Sequence, residues 1–207
     1  MKAAEIKRLY APLQPLLPQF KQQGPLLYLI GPDGLLKGLY IEDSGFDKNA
    51  FYLWAFFLPL YVPTQHVSFT FGKRLANGKR WNNVDGEALA RELTRAVLDE
   101  AIPFLGQADT PQQFAERVER FVENARDPYV ARAKAYSLAR CGNAQGAVAE
   151  LRNLNSLLRS MDGMAPWTDV MLNEATAFSA RVEADFESAK RMLDFWEAES
   201  RQHLRIS

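Results

Sequence analysis

Residues 51–62 read FYLWAFFLPLYV, the longest apolar run in the chain. Its 12 residues are too few for a helix that spans a bilayer, which needs about 20. A run that is apolar on both faces is typical of a central strand covered on both sides. Proline has no backbone donor, so we expect Pro59 at the frayed end of this strand or at a bulge. The run therefore predicts a buried strand at the centre of the fold.

The segments next to this run predict three further strands. Residues 25–30 and 35–41 are short apolar stretches separated by GPDG at 31–34, a strong turn signal, so they predict a hairpin. Residues 67–75 alternate between apolar and polar side chains, as a half-buried strand does. The apolar members, expected on one face, are Val67, Phe69 and Phe71. Together the four strands predict an antiparallel meander.

The chain on either side of the sheet has helical spacing. Apolar residues recur at three- and four-residue steps through residues 3–22, but Pro12, Pro15 and Pro18 interrupt the pattern, so we expect a helix near 2–11 and an irregular segment after it. After the sheet, Asp85, Thr110 and Asp127 are predicted to cap the starts of three helices. Gly142 is predicted to end a helix by adopting a left-handed backbone conformation.

The predicted fold class is α+β. An N-terminal helix and a four-stranded antiparallel meander form one domain over residues 1–85. An all-α region of helical hairpins forms a second domain over residues 86–207, with its last two helices near 167–182 and 186–202.

A weak internal repeat lies in the helical region. Two segments align at an offset of 42 residues, each with a small residue at a tight turn and an alanine five positions later. The aligned sets are Gly142, Ala147, Leu151 and Ala184, Ala189, Leu193. Residues 128–200 resemble tetratricopeptide-type helical hairpins, and ADFESA at 184–189 is similar to their inter-helix turn. The pattern departs from that family at Ala131, where a large aromatic is expected, and in its period, which is usually about 34 residues. The resemblance implies hairpins that present a binding surface.

The N-terminal part, a helix followed by a meander, resembles small uncharacterised bacterial α+β domains. Some of these occur in immunity proteins that neutralise interbacterial toxins. This resemblance implies a toxin-binding role, and it assigns no individual residue.

Composition excludes several classes of protein. The 207 residues carry 25 basic and 25 acidic side chains and are 47% hydrophobic, which argues against disorder and against a strongly basic nucleic-acid binder. The balance is uneven: residues 1–85 carry 10 Lys/Arg and 6 Asp/Glu, a net of +4, and residues 86–207 carry 15 and 19, a net of −4. Cys141 has no possible intrachain partner, and the N-terminus has no apolar signal core. We therefore expect a soluble cytoplasmic protein without a membrane segment.

An acidic loop is one candidate site. Glu42, Asp43 and Asp47 lie in the segment EDSGFDKN between two predicted strands. Carboxylates suit a hard metal ion or a basic partner, whereas Asp and Ser are also ordinary turn residues. The spacing fits no calcium loop, and a solvated loop is the favoured interpretation.

A basic segment is the second candidate. The turn signal Asn77-Gly78 predicts a hairpin tip with cationic pairs across it. Four cations beside an indole suit phosphates and a stacked base, but a charged edge that prevents strand association is the favoured interpretation. The residues are Lys73, Arg74, Lys79, Arg80 and Trp81.

His66 is the better general-base candidate of the two histidines, but no Ser or Cys nucleophile motif accompanies it. We expect no metal and no cofactor. The leading hypothesis is a non-enzymatic protein-interaction protein of bacterial type with a protein partner. Its specific form is an immunity protein that binds and neutralises a toxin. The alternatives are an enzyme or a metal- or nucleotide-binding protein that uses residues 42–47 and His66, and nucleic-acid binding through residues 73–81. The sequence leaves the oligomeric state open.

Overall fold

The structure, a computed structural model, describes residues 1–83, 86–161 and 165–207. It confirms an α+β fold in which an antiparallel sheet precedes a helical region. The π-helical turn Val97–Ala101 joins α2 to α3, and 3-10 turns lie at Gln14–Leu16, Ala76–Gly78 and Val118–Phe121. The strands and helices are α1 (Ala3–Tyr10), β1 (Lys21–Gln23), β2 (Leu26–Ile30), β3 (Leu35–Asp43), β4 (Ala50–Pro59), β5 (Phe71–Arg74), β6 (Trp81–Asn82), α2 (Gly86–Ala96), α3 (Ile102–Leu105), α4 (Pro111–Arg117), α5 (Pro128–Arg140), α6 (Ala144–Arg159), α7 (Pro166–Ala184) and α8 (Phe186–Leu204).

The sheet is the predicted meander with two short additions. Its order is β1-β2-β3-β4-β5 with every neighbour antiparallel, and β6 also pairs with β4. The central run forms β4, which ends at Pro59 as predicted. No helix within residues 1–83, 86–161 and 165–207 is long and apolar enough to cross a membrane.

The predicted strand 67–75 is shorter in the structure, and the expectation of one shared apolar face is wrong. β5 begins only at Phe71. Phe69 stacks on Trp54 at 4.6 Å on one side of the sheet, whereas Phe71 packs on Phe114 at 5.1 Å on the other. In the segment before β5, the hydroxyls of Ser68 and Thr70 hydrogen-bond to each other at 2.8 Å, a local contact of the kind that competes with strand pairing.

The predicted hairpin at Asn77-Gly78 is also wrong. Arg74 pairs with Trp54 and Trp81 pairs with Phe51, both antiparallel to β4, so β5 and β6 run in the same direction along one edge. Asn77 (φ 53°) and Gly78 (φ 75°) supply the left-handed backbone of a tight turn, which asparagine and glycine adopt more readily than other residues. That turn bulges out of an edge strand and does not reverse the chain.

The sheet is covered on both faces. One face packs against α1 and against helices of the C-terminal half, in a core that continues from Ile6 to Ala133. The hydrophobic cluster on the other face is smaller. There the sheet packs against the segment after β4 and against Ile206, close to the last residue of the sequence. The first core includes residues on both sides of position 85. The division into domains 1–85 and 86–207 stays a prediction.

The helical region starts and stops where its caps predict. The side chain of Thr110 accepts from the Gln113 backbone at 3.2 Å, that of Asp127 accepts from Tyr129 at 2.9 Å, and Gly142 has φ 88°. The predicted cap Asp85 lies outside the described residues.

The two aligned segments have the same local structure. Asn143 and Asp185, also 42 positions apart, each accept a hydrogen bond from the backbone three residues on and cap the next helix. The alanines and leucines of the repeat are fully buried: Ala147, Leu151, Ala189 and Leu193. The membership of these hairpins in a tetratricopeptide-like family stays a prediction.

An ionic cluster joins the sheet to α5 and α8. Glu197, only 9% exposed, accepts hydrogen bonds from Arg140 at 2.8 Å and from Arg201 at 2.6 Å. Arg140 also donates to the carbonyl of Asp33 at 3.2 Å and pairs with Asp194. The cluster therefore fixes α8 against the β2–β3 turn.

Candidate functional site

The structure gives each carboxylate of the acidic loop a local partner. Glu42 accepts from the indole of Trp54 at 2.8 Å and from Arg74 at 3.0 Å. Asp43 pairs with the N-terminal amine at 2.6 Å, and Asp47 accepts from a backbone NH two residues on at 2.9 Å. Within the part of the chain that the structure describes, no group of three or more His, Cys, Asp or Glu side chains is placed to hold a metal ion.

Three cations of the basic segment are engaged by carboxylates. Lys73 pairs with Glu100 at 2.9 Å, and Lys79 pairs with Glu92 at 2.7 Å. The hydrogen bond from Lys79 lowers the pKa of the Glu92 carboxyl, as expected when the charged form gains a donor. The structure thus holds this segment against α2 and the π-helical turn that follows it.

Arg74 joins the two candidate sites. Besides pairing with Glu42, its guanidinium lies 4.2 Å from the ring centre of Tyr52 and 4.9 Å from that of Trp54. Arg80 is exposed, whereas Trp81 is only 2% exposed and stacks on Phe51. The ring of Trp81 therefore belongs to the core and is not presented to a base.

A third candidate site is a cleft of about 700 Å³. It lies between the loop after β4 and helices α5, α7 and α8. Its deeper walls are apolar. Leu58 and Phe71 come from the sheet, and Ala133 and Met171 come from α5 and α7, all of them less than 9% exposed. A cleft of this size with apolar walls is typical of a binding site.

The rim of the cleft carries exposed apolar side chains. Tyr129 at the start of α5 and Trp167 at the start of α7 stack with ring centres 5.6 Å apart and an interplanar angle of 23°. They remain 43% and 37% exposed, and Val170 beside them is 58% exposed. Large apolar side chains that stay exposed together mark an interaction surface.

Charged and titratable groups also line the cleft. Arg132 on α5 is 9% exposed and donates to Glu174 on α7 at 2.7 Å. Burial raises the pKa of the nearby Tyr136 hydroxyl, and the positive charge of Arg132 partly opposes this, so the hydroxyl stays protonated at neutral pH. Two histidines and a second, exposed carboxylate complete the set: His66, His203 and Glu199.

The loop that forms one wall is tied down. The backbone NH of Thr64 donates to Ser200 on α8 at 3.3 Å, and the Thr64 hydroxyl donates to the carbonyl of His66 at 2.8 Å. These bonds attach the loop to α8 and fix its local turn.

Of the predicted site residues, only His66 lines this cleft, and Glu42, Asp43 and Asp47 are not among the residues around it. The residues of the rim were not predicted. A signal for them exists in α7, whose buried stripe Met171, Ala175, Phe178 and Val182 does not include Val170. Comparisons of the chain with protein-family models, with curated proteins and with solved structures give no match.

Proposed function

We propose that this chain is a protein-interaction protein, and that the cleft binds a segment of its partner. The observation that carries the proposal is the stacked pair Tyr129 and Trp167, exposed together with Val170 on the rim of the cleft. Tryptophan and tyrosine are the side chains that most often dominate the binding energy of protein interfaces.

The placement of the other candidates supports this choice. The enzymatic alternative needs His66 next to Glu42, Asp43 and Asp47, but the cleft that holds the histidine is lined by none of these three. The nucleic-acid alternative uses the cations of residues 73–81, and Lys73, Arg74 and Lys79 already pair with carboxylates. The ring of Trp81, which would stack on a base, is buried.

In its narrower form, the partner is a bacterial toxin and the site of action is the cytoplasm. The resemblance of the N-terminal part to domains of immunity proteins supports the first, and the free thiol of Cys141 fits the reducing compartment. A toxin gene next to this gene, and protection of cells that express both proteins, is the expected result. Unchanged toxicity on co-expression with the neighbouring gene product would contradict the narrower form only.

The broader proposal is tested by affinity capture with two matched variants. Val170 and Phe195 are both 58% exposed, but only Val170 lines the cleft. We expect the wild type and Phe195→Gln to retain a partner in stoichiometric amount from extracts of the native host, and Val170→Gln to lose it, because a polar amide at the rim must be desolvated on binding. A partner that Val170→Gln retains fully, or repeated recovery of none, would argue against the cleft as the binding site.

A further inference from the structure

We propose, as an extension that rests on the proposed function, that the partner's segment is basic as well as apolar. A lysine or arginine side chain of this segment binds at Glu174 and Glu199, next to an apolar side chain that covers Tyr129 and Trp167.

The charges around the cleft favour a cation. One guanidinium, Arg132, and two carboxylates, Glu174 and Glu199, line it together with His66 and His203. The guanidinium and the two carboxylates together give one net negative charge. An excess of negative charge in a cleft attracts and orients a segment of the opposite sign.

The single cation of the cleft is not presented to a ligand. Arg132 is 9% exposed, its Nη2 is bonded to Glu174, and its guanidinium lies 5.6 Å from the ring centre of Tyr136. Its Nε is buried and has no hydrogen-bond partner, so the guanidinium offers little surface to a carboxylate of the partner. The cleft therefore favours an acidic segment less than a basic one.

The carboxylates of Glu174 and Glu199 are accessible to a ligand. The side chain of Glu174 is 38% exposed, and only its Oε2 accepts a hydrogen bond from the described residues. Glu199 is exposed and has no ion pair with a described residue. An ammonium or guanidinium group can therefore bind carboxylate oxygens here without breaking an existing contact.

The aromatic rim suits the same side chains. The methylene stems of lysine and arginine pack on apolar surfaces while their charged heads stay with a polar partner. Ring faces of tryptophan and tyrosine also attract cations directly. Tyr129 and Trp167 on the rim and the two carboxylates around the cleft thus offer both parts of such a side chain a partner.

The test uses the full chain at pH 8 as bait for phage-displayed random dodecapeptides. Peptides that bind the wild type but not Val170→Gln, a change that adds no charge to the rim, are cleft ligands. We expect these to be enriched in lysine or arginine beside leucine, phenylalanine or tryptophan. For a synthetic copy, fluorescence anisotropy should give a Kd that rises about tenfold or more in Glu199→Lys, since this change reverses one charge near the ligand. Glu123→Lys, an exposed carboxylate outside the cleft, makes the same change in net charge and should leave the Kd within about twofold.

The outcomes separate the two proposals. Cleft ligands that are acidic or uncharged, or a Kd that Glu199→Lys leaves unchanged, would overturn the basic-segment inference and leave the proposed function standing. Peptides that bind equally well to Val170→Gln, or no peptide at all, would overturn the proposed function and this inference with it.

Discussion

Gly34 makes a close contact with a buried carboxylate. Its backbone has φ 80°, a region that residues with a side chain rarely occupy. A Cβ atom at this position would clash with the carboxylate of Glu197 and lie 2.6 Å from its Cδ. That carboxylate cannot move away cheaply, because Arg140 and Arg201 both hold it. The glycine thus permits the ionic contact that fixes α8 against the sheet.

The contact predicts an effect of Gly34→Ala that exceeds backbone strain alone. Gly24 is the matched control, since it also has a positive φ (54°) but nothing within 4 Å of its Cβ position. We expect Gly24→Ala to lower the free energy of unfolding by about 1 kcal/mol, and Gly34→Ala by at least about 1 kcal/mol more. Urea titrations of the two variants measure the difference, and equal losses would mean that the contact with Glu197 has no energetic role.

At the scale of elements, the helical hairpins show which features local sequence determines. Caps and glycine stops act over three or four residues, so Thr110, Asp127 and Gly142 could be assigned from their neighbours. β1 and β6 have only three and two residues, too few for any alternation to be visible. Their positions depend on strands that are distant along the chain.

The candidate site was less predictable for the same reason. Tyr129, Trp167 and Glu199 lie on three different helices, and only the packing of those helices brings them to one cleft. Spacing along the chain carries no information about that packing. His66 was found because its residue type is chemically distinctive.

The internal repeat predicts that equivalent alanines respond alike to a larger side chain. Ala147 in α6 and Ala189 in α8 are fully buried, whereas Ala149 and Ala198 on the same two helices are exposed. We expect Ala147→Leu and Ala189→Leu each to lower the free energy of unfolding by about 1–3 kcal/mol, because neither site has room for three more carbons. Ala149→Leu and Ala198→Leu should change it by less than about 0.5 kcal/mol. If only one buried alanine were sensitive, the two segments would not be structural equivalents.

At the scale of the whole molecule, the end of the last helix also stabilises the sheet. Arg205 stops α8 with φ 55°, and Ile206 then packs on the second face of the sheet, where it is 7% exposed. We expect Ile206→Ala to cost about 2 kcal/mol in unfolding free energy, and Arg205→Gly to cost nothing, because glycine adopts this backbone freely. Chemical denaturation followed by both tryptophan fluorescence and circular dichroism measures this. If Ile206→Ala destabilised the sheet but left the denaturation midpoint of the helices unchanged, the sheet and the helices would not unfold as one unit.

The molecule as a whole should unfold in alkali through its buried tyrosines. Tyr10, Tyr61 and Tyr136 are fully buried, and desolvation raises the pKa of each hydroxyl above its ordinary value near 10. Below pH 10 both folded and unfolded states keep these protons, so stability is complete. Above it only the unfolded chain releases them, so each buried tyrosine lowers the free energy of unfolding by up to about 1.4 kcal/mol per pH unit.

The three together predict a loss of up to about 4 kcal/mol per pH unit just above pH 10, where only the unfolded chain ionises. Guanidinium titrations at increasing pH measure this slope, and tyrosinate absorbance shows whether the buried rings ionise only as the chain unfolds. In Tyr61→Phe the slope should fall by about one third, since one of the three protons is gone. The variant also loses the hydrogen bond between Tyr61 and Ser137, which lowers the free energy of unfolding by the same amount at every pH below 10. Because that loss does not change with pH, the slope above pH 10 still reports ionisation alone. Ionisation of all tyrosines near pH 10 in a chain that remains folded would show that these hydroxyls are open to water, and would contradict their place in the cores.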